Sequence, residues 1–77
     1  ARSKGTYRIR KDGYAYISFF TDSEACISLE GMKYPLENRR ITRDDLYTLS
    51  NEIAGDAGVL TVHEGKVLVI QSDDMEL

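Results

Sequence analysis

Three acidic-glycine pairs, Asp12-Gly13, Glu30-Gly31 and Glu64-Gly65, each separate two short runs rich in Val, Ile, Leu, Tyr and Phe. Such a pair marks a tight hairpin, because glycine accepts the positive φ that a two-residue turn demands. Asp-Gly is the stronger form; Glu resists positive φ, so a three- or four-residue loop also fits the other two pairs. The pattern predicts a chain folded largely as antiparallel hairpins.

Facing residues test each hairpin. A two-residue turn at Glu30-Gly31 pairs Leu29 with Met32 and Ile27 with Tyr34. Ala25, Ile27, Leu29, Met32, Tyr34 and Leu36 then share one face and Cys26, Ser28, Lys33 and Pro35 the other, as expected for strands with one buried side. At Glu64-Gly65 the same construction gathers Leu60, Val62, Val67 and Val69, with apolar residues on the second face too, so this hairpin is expected to be central. Around Asp12-Gly13 both faces are mixed: Tyr7, Ile9, Lys11, Tyr14, Tyr16 and Ser18 against Arg8, Arg10, Ala15, Ile17 and Phe19. Pattern does not decide which of the two is buried. Pro35 cannot donate to a ladder and places the Met32–Leu36 run at an edge or keeps it very short.

One helix is predicted, over about 43–54. Thr42 is placed to cap it, Asp44 and Asp45 suit the positive end of its dipole, and Gly55 suits the position just past its end. Leu46, Leu49 and Ile53 recur at helical spacing and form its buried stripe, flanked by Tyr47 or Ala54. The expected fold class is α+β: a small, mostly antiparallel five- or six-stranded sheet built from hairpins, with this α-helix packed on one face. Its stripe should meet Ile27, Leu29, Val62 and Val69. At 77 residues the chain is expected to form a single domain, 1–77, with frayed tails at 1–5 and 72–77. So thin a core gains from pairing, and a homodimer is a further expectation.

Charge is unevenly spread. Residues 1–43 carry +4 and residues 44–77 carry −7, giving the net −3. Such polarity either steers a charged partner or neutralises itself on folding. No apolar run reaches membrane-spanning length, and a lone cysteine, Cys26, forms no internal disulfide; both point to a cytoplasmic protein.

Catalytic and metal-binding patterns are sparse. His63 is the single histidine, and next to Glu64 at a turn it is expected to be solvated. Cys26 has no residue spaced to act as its base, and a structural role is expected. Asp44-Asp45 is accounted for by capping and Asp73-Asp74 by a fraying tail. Phosphate-loop, dinucleotide, zinc-protease and calcium-loop patterns are absent. No enzyme activity, no cofactor and no metal are expected.

The residues that could bind something are basic and aromatic. Tyr7, Arg8, Arg10, Tyr14 and Tyr16, with Arg39 and Arg40 as a second patch, form the candidate binding set. Tyrosines on a sheet can stack unpaired bases while arginines hold phosphates. Yet tyrosine is also simply a good strand residue, and the net charge is unfavourable to nucleic acid. The function expected first is therefore a small protein-binding module, a regulator or inhibitor of a larger bacterial or phage-type target. The alternative is a single-stranded nucleic-acid binder using the first hairpin.

Overall fold

The computed structural model describes residues 2–45 and 50–73. Seven strands form in chain order: β1 (Gly5–Arg10), β2 (Tyr16–Phe20), β3 (Glu24–Glu30), β4 (Leu36–Thr42), β5 (Ser50–Asn51), β6 (Ala57–Glu64) and β7 (Leu68–Ser72). They make two antiparallel sheets, a four-stranded one ordered β1-β6-β3-β4 and a three-stranded one ordered β5-β2-β7.

Period-two alternation explains the core. On β3, Ala25, Ile27 and Leu29 are buried; on β6, Leu60 and Val62; on β2, Ile17 and Phe19. With Ile9, Ile41, Val67, Met32 and Ile53 they form one apolar cluster that draws on both sheets, half-buried Tyr7, Leu36 and Val69 packing against it. The Ala25/Ile27/Leu29 face points inward as expected, except Tyr34, which is exposed; the run after Gly65, expected to be covered on both sides, leaves Leu68 and Ile70 exposed.

The pairing departs from the hairpin scheme at all three turns. Asp12 and Gly13 both have positive φ, 50° and 84°, and Tyr14 N–H donates to Lys11 O at 3.0 Å, so the turn forms. Its two arms do not pair: β1 lies beside β6 and β2 beside β7, in different sheets. Gly65 (φ 81°) likewise carries the chain from β6 in one sheet to β7 in the other. A short glycine turn serves a hairpin and a crossing between facing sheets equally well. At Glu30-Gly31, β3 does pair with the following strand, but across a longer loop in a shifted register, Leu29 opposite Leu36 rather than Met32.

The α+β expectation falls with its helix: no α-helix occurs among the described residues. Thr42 Oγ does accept from Asp44 N–H at 3.3 Å, capping a single 3-10 turn over Arg43–Asp45. By Ser50–Asn51 the chain is already a strand against β2, and Ile53 bridges Met32. Leu46, Tyr47 and Leu49 lie outside the described residues. Tertiary demand overrides the helical spacing here, since the 50–53 backbone finds partners on a sheet edge and on the 31–34 loop. Among the described residues no helix is long and apolar enough to cross a membrane.

Candidate functional site

The basic-tyrosine set is dispersed. Tyr7 is half-buried, its hydroxyl donating to Ser3 O at 2.7 Å and Arg2 standing 5.0 Å over its ring. Arg8 and Arg10 lie exposed on β1, with Arg10 Nε 3.8 Å from Asp12. Tyr14 is exposed beyond the turn, whereas Tyr16 is half-buried in the other sheet. Arg39 and Arg40 sit on β4, the opposite edge of the four-stranded sheet from β1. Arg40 bonds Glu64 at 2.9 Å and lies 3.9 Å from Glu24; the Glu64 hydrogen bond, more than any other cause, pushes its pKa up. Arg8 and Arg10 share the outer face of β1, while the rest of the set is divided between the inner face of that strand, the far edge strand, the other sheet and the turn.

A different region is the more elaborately built one: the loop 31–35 and the segment 51–54. Pro35 enforces an extended Tyr34 and donates nothing to β4, so this loop leaves the β3–β4 ladder. It turns instead to 51–54. Gly31 O accepts from Ala54 N–H at 2.9 Å, and Lys33 N–H donates to Glu52 O at 2.8 Å, with Met32 and Ile53 bridged between. Met32 is buried over Gly58, where a β-carbon would come within 2.8 Å of Met32 Cε.

Asn51 closes the corner. Only 4% exposed, it accepts from Tyr34 N–H and Glu52 N–H through Oδ1, both at 2.9 Å, and donates to Tyr34 O through Nδ2 at 2.7 Å. Burying an amide costs free energy unless it is bonded, and this one is bonded at both ends. The backbone it secures presents the Tyr34 side chain at 57% exposure. Lys33 Nζ stands 5.4 Å over the Tyr34 ring and 3.2 Å from Glu52 Oε2; that bond to Glu52 is the main reason the Lys33 pKa is raised. The corner is therefore a rigid, nearly neutral mount for an exposed aromatic face, suited to a planar ligand. Hairpin logic had placed Tyr34 in the core; the Tyr-Pro step was the signal that the strand could not continue.

Outside the corner, Ser28 sits at the register shift between β3 and β4, while it stays in register with Thr61 on β6. Ser28 Oγ accepts from Asn38 N–H at 3.0 Å and is 2.8 Å from His63 Nε2. His63 is thus half-buried and bonded, not solvated as expected. Cys26 is a free, half-buried thiol. No group of three or more His, Cys, Asp or Glu able to hold a metal occurs among the described residues.

Comparison with known proteins gives the corner a context. The family described as thiamin pyrophosphokinase, vitamin B1 binding domain, matches residues 6–68. Thiamine pyrophosphokinase of Bacillus subtilis (strain 168) is 38% identical over 91% of the chain and 34% of its own length. A crystal structure of the Bacillus subtilis thiamine pyrophosphokinase superposes with a TM-score of 0.84 at 36% identity, covering 96% of this chain and 36% of that one. The Geobacillus thermodenitrificans thiamin pyrophosphokinase gives 0.83 at 35% identity, covering 95% and 35%. The chain spans about a third of the length of the relatives it matches. These likenesses overturn the protein-binding regulator, its nucleic-acid alternative and the corresponding protein and nucleic-acid partners, and against the expectation of no enzyme activity they point to an enzyme family. The small size and sparse catalytic pattern that suggested a stand-alone module are those of a domain that resembles one part of a larger enzyme.

Proposed function

The chain belongs to the thiamin pyrophosphokinase vitamin B1 binding domain family, and from that membership we propose that it is the thiamin-holding part of such an enzyme, with the Tyr34 corner as its contact. The observation that carries this reading is an exposed aromatic ring on a backbone locked by a buried amide. Thiamin has a neutral aminopyrimidine and a positively charged thiazolium, and a tyrosine face attracts both by stacking and by its negative quadrupole. Lys33 occupies the space over one ring face, so the vitamin takes the other face or displaces the ammonium toward Glu52. Neutralisation of Lys33 by Glu52 keeps the corner from repelling a cation. The chain's share is binding and orientation; pyrophosphoryl transfer falls to the two thirds of the enzyme outside it. A cytoplasmic location fits this role.

Thiamin titration followed by amide NMR tests the proposal. Shifts are expected to centre on 33–36 and 51–53, and Tyr34→Ala should weaken binding by about tenfold, the scale of a cation–π contact. Tyr14→Ala, removing another exposed tyrosine, should leave affinity unchanged. Undiminished binding in Tyr34→Ala would refute the assignment.

A further inference from the structure

We propose that the cleft between the β1 edge and the 11–14 turn is a binding site for a diphosphate or triphosphate group. The cleft has a volume of about 420 Å³ and is lined by Arg8, Arg10 and Lys11 together with Asp12 and Asp56. Arg8 and Arg10 alternate with buried Ile9, so both side chains leave the same outer face of β1. Two residues along a strand span roughly 7 Å, which lets the guanidinium groups address successive phosphoryl groups, each by paired N–H donors.

Two features favour an anion over simple self-neutralisation. Three cations meet two carboxylates, and the recorded pairing is loose: Arg10 lies 3.8 Å from Asp12, both side chains being mostly exposed. Arg8 and Lys11 form no ion pair among the described residues, although the chain as a whole is acidic. The backbone that carries the cations is also fixed in advance. Lys11 N–H donates to Asp56 O at 2.8 Å, and Gln71 Nε2 donates to Arg10 O at 2.9 Å and to Lys11 O at 3.2 Å. A strand end held from two sides loses little freedom when an anion arrives. The lining contains no aromatic ring, so nothing in the cleft would stack a base. A small polyphosphate fits; a nucleobase does not.

The site is separate from the Tyr34 corner, and segment 54–57 links the two. Segment 54–57 bonds Gly31 through Ala54 N–H and Lys11 through Asp56 O. The inference stands without the thiamin reading, since it is tested with inorganic pyrophosphate alone.

Inorganic pyrophosphate is titrated into the 77-residue chain and followed by amide NMR and calorimetry at low and high salt. Saturable binding is expected, with shifts at residues 8 and 10–13, weakening as salt rises. The double variant Arg8→Gln, Lys11→Gln should weaken it by about tenfold or more, because charge-assisted bonds are lost. Arg39→Gln, on the far edge, and Tyr34→Ala should leave it unchanged, and Asp12→Asn should tighten it. ATP and thiamin diphosphate, titrated separately, report whether the group arrives on a nucleotide or on the vitamin; tighter binding of either than of inorganic pyrophosphate, with the same shifts at residues 8 and 10–13, supports the site. Equal affinity in the double variant, or shifts spread evenly to Arg39, would overturn it.

Discussion

The side-chain amide of Asn51 stands in for a β-strand opposite Tyr34: its Oδ1 accepts from Tyr34 N–H at 2.9 Å and its Nδ2 donates to Tyr34 O at 2.7 Å. One buried residue thus satisfies both main-chain groups of the residue that presents the aromatic ring. Asn51→Ala should destabilise the chain by about 2–3 kcal/mol, since it removes three bonds and strands buried polar groups. Chemical denaturation at unchanged m is the measurement. Asn51→Asp keeps the acceptor but sets a buried carboxylate oxygen against Tyr34 O, so it should cost at least as much as Asn51→Ala and disturb the 33–35 amides.

Lys33 and Glu52 couple this corner to pH. The Lys33 pKa is raised, first by its hydrogen bond to Glu52. A raised folded-state value means that the pair's contribution is complete below the unfolded lysine value of ~10.4 and is lost as pH climbs through the higher folded value. Direct NMR titration of the Lys33 side chain should show that elevation. In Glu52→Gln it should relax toward the ordinary lysine range; an unmoved titration would assign the shift to another neighbour.

Gly13 and Gly65 share a positive φ, 84° and 81°, but not their surroundings. A β-carbon at Gly13 meets open space, whereas one at Gly65 would overlap Glu24 O and come within 3.0 Å of Ala25 Cα. Gly13→Ala should therefore cost about 1–2 kcal/mol, the conformational penalty alone. Gly65→Ala should cost clearly more, and the difference between their thermal midpoints isolates the clash at the crossing between sheets.

Asn38 forms the bulge that shifts β4 against β3, with φ 49° and its N–H bonded to Ser28 Oγ. Asparagine tolerates that conformation and a β-branched residue does not. Asn38→Val should destabilise by about 1–3 kcal/mol, and Asn38→Gly should be neutral or slightly stabilising. Equal midpoints for the two variants would remove backbone conformation as the reason for asparagine here.

Much of the residue-level design was legible in the order of amino acids. Alternation assigned Ala25, Ile27 and Leu29, and Leu60 and Val62, to the interior, because a strand shows its two faces with period two. The turns at Gly13, Gly31 and Gly65 were legible for the same local reason, each depending on conformations available to one or two residues, whereas Thr42, read as the cap of an α-helix, caps only a 3-10 turn. None of the candidate binding residues foreshadowed the Tyr34 corner, for which the one local hint was Pro35.

What the tertiary structure alone decided is which segments become neighbours. Alternation says which way a side chain points and nothing about the strand beside it, so three hairpins and two facing sheets satisfy the same pattern. The 42–54 segment shows the competition most directly. Helical spacing of Leu46, Leu49 and Ile53 is a local preference worth little per residue. The segment's described part is instead secured by partners far away in sequence: Ile17 and Ser18 for β5, Met32 for Ile53, and Tyr34 for the amide of Asn51. Those bonds exist only once both sheets are in place, and so the corner they build could not be read one residue run at a time.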